Sequence, residues 1–329
     1  MEIIDIAISS ISFLTLREKV LLRKNIDSLD NLVILSKSDI GEIVGRVSKN
    51  ALWNPGETIL LSERSWKLMD SLRINGVMYS ESSYPALLRE TVNAPYMLFY
   101  RGNLDALNKK CISLVGTRYI SKDSAEGAYK FARDAALNDY CVVSGLANGI
   151  DSFAHKGALA SRIKSSTAAV LPCGIDTIVP GGNKKLSEAI LQSDGIILSE
   201  YIPGCPAESW RFVQRNRIIA ALSPATVVIH APPASGALIT ADFALDFNRD
   251  LFFHSSGFTE ASMLISNERK KRLLASTAKN AQQKLEKSPE KYIEDGAPIV
   301  ESFQDFVKAL SEEPGSRISK TKLQAELFD

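Results

Sequence analysis

Six short, almost continuously apolar segments alternate with helical stretches along the middle of the chain, at residues 111–115, 141–143, 167–171, 195–198, 225–229 and 250–253. Strands that lack a polar face are typical of a sheet that is covered on both sides. Strands that alternate with helices predict parallel β-α-β units. The pattern therefore restricts this region to an α/β fold, a mostly parallel sheet with helices on both faces.

Compact segments rich in glycine, serine and arginine lie where these strands give way to helices, at residues 116–118, 144–151, 215–219 and 235–240. Backbone amides in such turns are unpaired, and the helix that follows adds a partial positive charge. In an open parallel sheet these turns share the edge at which ligands bind. The sequence therefore predicts a row of anion sites suited to phosphates. The residues expected there are Gly116, Thr117, Arg118, Ser144, Gly145, Arg215, Asn216, Arg217, Ser235 and Gly236.

Two of these segments leave a choice of roles open. Arg215 and Arg217 are two residues apart on a predicted helix, so they face different directions. One can reach a ligand while the other ties down a neighbouring loop. Asp151 and His155 are four residues apart on one helix face, which permits either an acid–base pair or a structural hydrogen bond that holds the turn. We favour the structural role, because no nucleophile is evident beside them.

The first 75 residues have a different pattern from the rest. Thr15 and Glu18 have the spacing of a helix capping box, and apolar residues follow at helical spacing. We predict a small all-helical, SAM-like domain over residues 1–75, an α/β domain over 76–311 and a loosely ordered tail over 312–329. A lysine-rich insertion at about 267–291 is predicted to be a solvated helix or mobile segment rather than a dedicated DNA-binding arm.

Composition and missing motifs exclude several classes of function. The net charge is +1, so any affinity for nucleic acid must come from a local patch. The four cysteines form no C-x-x-C pair, and we predict that they are packing residues. The sequence lacks a Walker lysine, a nucleophile elbow and a G-x-G-x-x-G loop. We therefore predict a binding protein with no catalytic residues, no metal and no cofactor.

Targeting signals are also missing from the sequence. No apolar run has the length that is needed to span a bilayer, and the amino terminus lacks the pattern of a secretory signal. We therefore predict a cytoplasmic protein.

The order of the turns resembles that of the DNA-processing protein A family (DprA, also called Smf). This resemblance implies an extended Rossmann-like domain behind a small helical domain, often in a dimer. It also implies binding of single-stranded DNA and loading of the RecA recombinase on that DNA in natural transformation. The motifs that carry the resemblance are Tyr84-Pro85, Arg101-Gly102, Gly116-Thr117-Arg118, Ser144 to Asp151 with Ala154-His155, Ala169 to Asp176, Leu198 to Tyr201, Arg215 to Ala220 and Ser235 to Ala241.

The resemblance further implies roles for individual residues. Arg118 would hold a phosphate, and Lys184 or Lys185 would be the basic residue after a loop asparagine. Phe212 and Trp210 are candidates for stacking on bases, although packing in the core is favoured for Phe212. The resemblance also implies that five residues predicted above line the same pocket: Arg215, Asn216, Arg217, Ser235 and Gly236.

The sequence departs from the family in its last third. His230 to Pro233 stands where the family usually has an acidic residue, and His254 to Gly257 replaces a Pro-Gly pair. Residues 248–250 replace the usual Gly-Arg, and the lysine-rich stretch after Asn267 replaces a short Gly-Asn loop. The pocket and any partner surface nearby are therefore expected to differ from those of relatives.

Two alternatives stay open at this point. One is a related Rossmann-like enzyme that binds nucleotides or hydrolyses nucleoside monophosphates, because Pro180-Gly181-Gly182 is similar to a loop of those enzymes. The Gly-Thr and the glutamate that those enzymes need do not follow here. The other is an interaction protein that has kept the fold and lost affinity for DNA.

Overall fold

Five helices form the amino-terminal part of the structure, a computed structural model that describes residues 1–47, 52–276, 285 and 287–312. The sequence predicted helices in this region, and Thr15 begins the second of them as expected. The five are α1 (Ile3–Ser10), α2 (Leu16–Asn25), α3 (Leu29–Val33), α4 (Lys37–Val44) and α5 (Pro55–Leu72).

Within the described residues, nine strands form one sheet in the order β1-β2-β6-β5-β4-β3-β7-β8-β9. β1 pairs with β2 and β2 with β6 in antiparallel fashion, whereas the pairs from β6 through β9 are parallel. The prediction of a mostly parallel sheet is confirmed. The strands are β1 (Asn75–Met78), β2 (Met97–Gly102), β3 (Lys110–Gly116), β4 (Tyr140–Ser144), β5 (Thr167–Val170), β6 (Ile196–Ser199), β7 (Ala225–His230), β8 (Asp250–His254) and β9 (Ile299–Val300).

Helices cover both faces of this sheet. Successive side chains of a strand point to opposite sides, so a strand that is apolar throughout has to be covered on both. The helices of this part are α6 (Ala86–Arg89), α7 (Lys122–Leu137), α8 (Ile150–Ala160), α9 (Lys184–Gln192), α10 (Ser209–Ala221), α11 (Gly236–Asp246), α12 (Glu260–Leu274), α13 (Pro289–Glu294) and α14 (Phe303–Ser311). On β3, Val115 packs in a cluster with residues of α10 and α11, while Leu114 packs with residues of α7 and α8.

The amino-terminal helices share a hydrophobic cluster with one end of the sheet. Ile6 of α1 and Leu22 of α2 are fully buried in the same cluster as Phe99 of β2 and Ile197 of β6. Ser65 of α5 also donates a hydrogen bond to the carbonyl oxygen of Pro203, 2.7 Å away. The helical region therefore packs directly against the antiparallel edge of the sheet.

The chain reverses direction across the sheet between β3 and β7. From β3 it proceeds outward through β4 and β5 to β6, then returns to place β7 against the other side of β3. At such a point the loops that follow the two neighbouring strands diverge and leave a crevice at the carboxyl edge, where ligands of α/β proteins bind. The fold thus places a crevice between the turn after β3 and the turn after β7.

Part of the predicted insertion is a helix of the described chain. α12 contains residues 267–274 of the lysine-rich stretch, and α13 contains its end. Residues 277–284 and 286 lie outside the described residues, as does the tail over 313–329 that the sequence predicted to be loosely ordered.

Glu18 joins the predicted capping box to a second helix. The Thr15 amide donates to Glu18 Oε2 at 2.8 Å, and the Glu18 amide donates to Thr15 Oγ1 at 3.3 Å. Arg46, just after α4, donates to both Glu18 oxygens at 2.6 and 2.9 Å. These hydrogen bonds, the one from Arg46 above all, lower the pKa of Glu18 from 4.5 to about 2. The carboxylate therefore links α2 to α4.

We expect Glu18→Gln to lower the free energy of unfolding by about 1–2 kcal/mol at neutral pH, because a charged acceptor of the cap and of Arg46 is lost. A lowered pKa stabilises the fold above pH 4.5, and this contribution disappears as the pH falls through about 2. The difference between wild type and variant should therefore shrink in acid. Urea unfolding at neutral and acidic pH measures it. The exposed Glu42 on α4 gives the matched control, Glu42→Gln, and an equal effect of both variants would contradict the assignment.

Candidate functional site

A cleft of about 1030 Å³ lies at the carboxyl edge of the sheet, at the reversal point between β3 and β7. Its walls come from the turn after β3, the turn after β7, one side of α10 and one side of α12. Among the predicted site residues, those that line it are Gly116, Thr117, Arg118, Arg215, Asn216, Ser235 and Gly236. The structure thus brings together seven of the twelve predicted residues, from three segments that are distant in sequence.

The turn after β3 carries Arg118, the exposed cation among the predicted residues that line the cleft. The Thr117 amide donates to the carbonyl oxygen of His230 at 2.7 Å, which fixes this turn against the end of β7. Arg118 is exposed, and its guanidinium lies 5.2 Å from the ring centroid of Phe212. Tyr119, the next residue, lines the same cleft with 74% of its surface exposed. A permanent positive charge and two aromatic rings therefore stand side by side at the mouth.

The turn after β7 adds the amino terminus of α11 to the opposite side. Ser235 caps this helix by accepting a hydrogen bond from the Ala237 amide at 3.3 Å. Gly236 is exposed, and a Cβ there would meet nothing within 4 Å. Asn216 of α10 donates to the Gly236 carbonyl oxygen at 3.1 Å and so joins α10 to this turn. In this first turn Ser235 accepts from the Ala237 amide through its hydroxyl and from the Leu238 amide through its carbonyl oxygen. The exposed Gly236 amide, together with the positive end of the α11 dipole, is therefore the expected place for an anion.

The turn after β4 is closed by its own side chains, contrary to our expectation of free amides. Asp151 accepts from the Gly145 amide at 3.1 Å and the Ala147 amide at 3.4 Å. His155 Nε2 accepts from the Leu146 amide at 3.3 Å. Ser144 is buried and donates to the carbonyl oxygen of Leu114 at 2.7 Å. An anion thus finds these amides occupied, and Ser144 and Gly145 lie behind the cleft rather than on its surface.

Asp151 and His155 have the structural role that the sequence favoured. His155 is fully buried between the Leu146 amide and Thr167, whose Oγ1 lies 2.7 Å from His155 Nδ1. Burial lowers the pKa of His155 to about 3, so the ring is neutral at physiological pH. Both side chains are engaged in holding the turn, and the Thr167 hydroxyl beside His155 is itself buried and donates to the Val142 carbonyl oxygen at 2.7 Å.

Arg215 lies beneath the floor of the cleft and compensates the buried charge of Asp151. Its side chain donates to the carbonyl oxygen of Val170, and only 3% of the residue is exposed. Burial raises the pKa of Asp151, and the charge of Arg215 opposes that rise. Burial likewise lowers the pKa of Arg215 to about 10. A Cβ on Gly145 would lie 2.0 Å from Arg215 Nη1, so only glycine leaves room for this guanidinium.

Gly149 holds the turns after β3 and β4 together. Its φ of +82° is in the region that glycine adopts without strain, and a Cβ would lie 2.3 Å from the Thr117 carbonyl oxygen. The following residue, Ile150, donates its amide to that same oxygen at 3.1 Å. The position of Arg118 therefore depends on the absence of a side chain at residue 149.

Arg217 ties down a neighbouring loop, which is one of the two roles that the sequence left open. It is 7% exposed and is ion-paired with Glu200, which follows β6. The Lys19 ammonium contributes to the same electrostatic environment, and it donates to the Ser9 carbonyl oxygen at 2.6 Å. Arg217 thus fastens the loop after β6 to α10 and does not line the cleft.

Lys184, Lys185 and Trp210 lie outside the cleft walls. Lys184 and Lys185 are exposed at the start of α9, while Asn183 before them donates to the Leu146 carbonyl oxygen at 2.8 Å. Trp210 packs edge-to-face against Tyr201, with ring centroids 6.4 Å apart, instead of facing the cleft. Phe212, for which we favoured the core, lies half-buried on the cleft wall.

Several cleft residues were not among those predicted from the sequence. Tyr119 directly follows the Gly116-Thr117-Arg118 motif, but no pattern distinguishes a functional tyrosine from an ordinary turn residue at this position. Ile265, Arg269 and Arg272 belong to α12, the predicted solvated segment, and they line the cleft together with Glu268. Their spacing of three and four residues on one helix face was the available signal.

The described part of the chain offers neither a metal cluster nor a membrane-spanning helix. Over these residues, no three His, Cys, Asp or Glu side chains converge in a way that could hold a metal ion. No described helix combines the length and the apolar character that crossing a bilayer requires. The three buried cysteines and the half-buried Cys205 all carry free thiols.

The family model for DNA recombination-mediator protein A matches residues 75–311. The chain belongs to this family. The matched stretch contains the whole sheet and every segment that lines the cleft. The resemblance to the DprA/Smf family that the order of turns indicated is confirmed, and so is the extended Rossmann-like fold.

Named relatives of the recombination-mediator family agree with this assignment. Protein Smf of Borreliella burgdorferi is 32% identical over 251 residues, which are 76% of this chain and 78% of the relative. Protein Smf of Synechocystis sp. is 43% identical over 176 residues, 52% of this chain. DNA processing protein DprA of Streptococcus pneumoniae is 41% identical over 172 residues, also 52% of this chain. The matched stretches span only 44% and 60% of the last two proteins, respectively.

Solved structures of the family share the architecture over a longer stretch. The X-ray structure of DprA from S. pneumoniae has a TM-score of 0.65 and 30% identity, and the match covers 94% of this chain and 98% of that one. DNA processing protein A from Helicobacter pylori has a TM-score of 0.52 and 26% identity, covering 65% of this chain and 94% of that one. The second structure is described as revealing a unique single-stranded DNA binding mode.

Proposed function

We propose that this member of the recombination-mediator family binds single-stranded DNA in the cleft between β3 and β7. The observation that carries the proposal is the grouping of exposed Arg118, the capped amino terminus of α11 and two aromatic rings on one cleft. Proteins that bind single strands combine a cationic groove for the backbone with aromatic side chains on which bases stack. The DNA-binding relative from H. pylori supports the same assignment.

The geometry of the cleft gives each chemical group of a single strand a partner. A phosphate can accept from the Arg118 guanidinium, which presents a planar, permanently charged set of donors. A second phosphate can accept from the exposed Gly236 amide, where the dipole of α11 favours negative charge. Tyr119 and Phe212 offer rings to unpaired bases, which a duplex keeps stacked inside its helix. The cleft therefore favours single strands over duplex DNA.

Tyr119→Ala is expected to weaken binding to single strands by about 1–3 kcal/mol, because one base loses its stacking surface. Tyr119→Phe keeps the ring and should bind nearly as well as wild type. Because no charge is removed, the salt dependence should stay unchanged in both variants. Fluorescence anisotropy with a labelled oligonucleotide at two salt concentrations measures the affinity of each variant and its salt dependence. A change in Tyr119→Phe as large as in Tyr119→Ala would indicate that the hydroxyl, and not stacking, is responsible.

The proposal itself is tested with labelled oligo-dT, titrated with the protein at about 50 and about 200 mM salt, the range over which phosphate contacts alter affinity most visibly. Unlabelled duplex of equal length is the competitor. Tight, salt-sensitive binding that duplex does not displace is the expected result. Absence of binding at low salt would overturn the proposal in favour of an interaction protein without DNA affinity. Release of free base from a panel of nucleoside monophosphates would instead indicate the enzyme.

We further propose, from the family to which the chain belongs, that it delivers this DNA to the RecA recombinase. A homodimer that acts in the cytoplasm, without enzymatic activity, is part of the same proposal. Sedimentation of the purified chain tests the dimer. RecA filament formation on oligo-dT, with and without the chain, tests the delivery, and an unchanged rate would contradict it.

A further inference from the structure

α12 carries two arginines on the side of the helix that faces the cleft. Ile265, Glu268, Arg269 and Arg272 line the cleft, and they are spaced as neighbours on a single helical face. Lys270 and Lys271 lie between them in sequence, are exposed and do not line the cleft. The helix therefore presents two cations to the cleft and two to solvent.

The amino-terminal half of α12 is fixed to the ends of three elements of the sheet domain. Ser262 donates to the Ser256 carbonyl oxygen after β8 at 2.8 Å, and its Oγ lies 2.7 Å from Ser121 Oγ at the start of α7. Ser266 Oγ lies 3.2 Å from the Nε2 atom of His230, the last residue of β7. These hydrogen bonds set the rotation of the helix about its axis, so the face that carries Arg269 is held toward the cleft.

The anchors of α12 come from separate elements at the carboxyl edge of the sheet. His230 ends β7, Ser256 follows β8, and Ser121 stands directly before α7. Residues 267–272, within the stretch that the sequence predicted to be a solvated helix or mobile segment, are helical and exposed. The amino-terminal half of α12 thus holds this exposed helical part in place beside the cleft.

Charge on the cleft-facing side of α12 is complementary to a phosphate backbone. Arg269 is exposed and makes no ion pair at 4 Å or less among the described residues. Arg272 approaches Glu268 at 3.7 Å, with more than 70% of both side chains exposed. An exposed pair of this kind contributes little to stability. Both guanidinium groups are therefore available to a ligand across the cleft from Arg118.

We propose that α12 is a second wall of the DNA site, with Arg269 and Arg272 binding backbone phosphates of a single strand whose other side contacts Arg118. This inference rests on the proposed function and adds to it a contact surface from the insertion. The strand would then lie between Arg118 and the two arginines of α12 rather than on one open edge. Contacts from both sides bind more phosphates, and so make the affinity more dependent on salt.

The test compares two double variants that remove equal charge from the same helix. Arg269→Ala/Arg272→Ala removes the cleft-facing pair, and Lys270→Ala/Lys271→Ala removes the solvent-facing pair. Each phosphate contact to a single strand contributes about 0.7 to the slope of log affinity against log salt, so losing two contacts should lower the slope by about 1.4. Between about 50 and about 200 mM salt this corresponds to a roughly 7-fold smaller loss of affinity than wild type shows.

Oligo-dT anisotropy on the full chain gives the readout, and circular dichroism melting verifies that both variants are folded. A flattened slope in the arginine variant, together with a wild-type slope in the lysine variant, is the expected result. Equal slopes in the two variants, with wild type binding normally, would overturn the role of α12 and leave the proposed function intact. Failure of the wild-type chain to bind at low salt would overturn both.

Discussion

Arg215→Ala is expected to lower the free energy of unfolding by about 3–5 kcal/mol near neutral pH, the cost of removing one partner from a pair of buried charges. Arg215 and Asp151 are both buried, and the guanidinium supplies the positive charge that opposes the raised pKa of Asp151. Its loss also leaves the Val170 carbonyl oxygen without this donor. DNA binding should decline with the fold, since the same turn supports the cleft.

The dependence of this loss on pH identifies its cause. Without Arg215, burial of Asp151 is opposed only by the Gly145 and Ala147 amides and by the charge of Arg118, so the pKa of its carboxyl rises further. A raised pKa means that the folded state takes up a proton more readily than the unfolded chain, whose pKa is near 3.8. That stabilising uptake is complete below this pH and is lost as the pH rises through the folded-state value. The gap between wild type and variant should therefore widen from acidic to neutral pH.

Denaturant unfolding across that pH range measures the effect, and Asp151→Asn supplies the control. In the double variant Arg215→Ala/Asp151→Asn the buried charge is absent, so the pH dependence that Arg215→Ala creates should vanish. Part of the stability should also return, because a neutral amide needs no compensating cation. A loss that is independent of pH and unchanged in the double variant would attribute the effect to packing around Gly145 instead.

Arg118→Ala is expected to weaken binding of single strands by about 1.5–3 kcal/mol, the contribution of a hydrogen bond to a charged group. Arg118 is exposed and holds no ion pair at 4 Å or less among the described residues, so the stability of the fold should change little. The slope of log affinity against log salt should fall by about 0.7. Oligonucleotides of different sequence should be affected alike, because a phosphate contact carries no base information.

A matched control separates a local contact from a change in overall charge. Arg133 on α7 is exposed, and Arg133→Ala removes the same charge from a surface that does not line the cleft. Anisotropy titrations of both variants at two salt concentrations give affinity and slope together. If Arg133→Ala reproduces the effect of Arg118→Ala, the attraction is a property of the whole surface and the cleft has no special role.

The sequence was sufficient to predict the architecture because the evidence for it is local. Each strand from β3 to β8 is a short apolar segment, and Thr15 with Glu18 forms the cap that their spacing predicts. The role of Asp151 was also predictable, since a four-residue spacing on a helix brings it and His155 to one face. For the strands, the helix cap and Asp151, the structure agrees with what the neighbouring residues in the sequence predict.

The site was predictable only in part because it depends on where distant segments meet. Two-residue spacing shows that Arg215 and Arg217 diverge, but not which of them faces Glu200. A serine- and glycine-rich turn after β4 resembles an anion site until the Asp151 carboxylate is seen to occupy its amides. The orientation of α12 depends on contacts with His230 that no spacing within the helix encodes.

The order of the strands determines when, during synthesis, the chain becomes able to bind DNA. β3 and its arginine turn leave the ribosome early, yet their neighbour β7 begins only at Ala225, and α12 comes later still. Until β7 has emerged, the edge of β3 that it will cover remains unpaired and its apolar residues face water. A growing chain therefore carries Arg118 long before it has a cleft. Its affinity for DNA should appear only after β7 and the start of α11 have been translated.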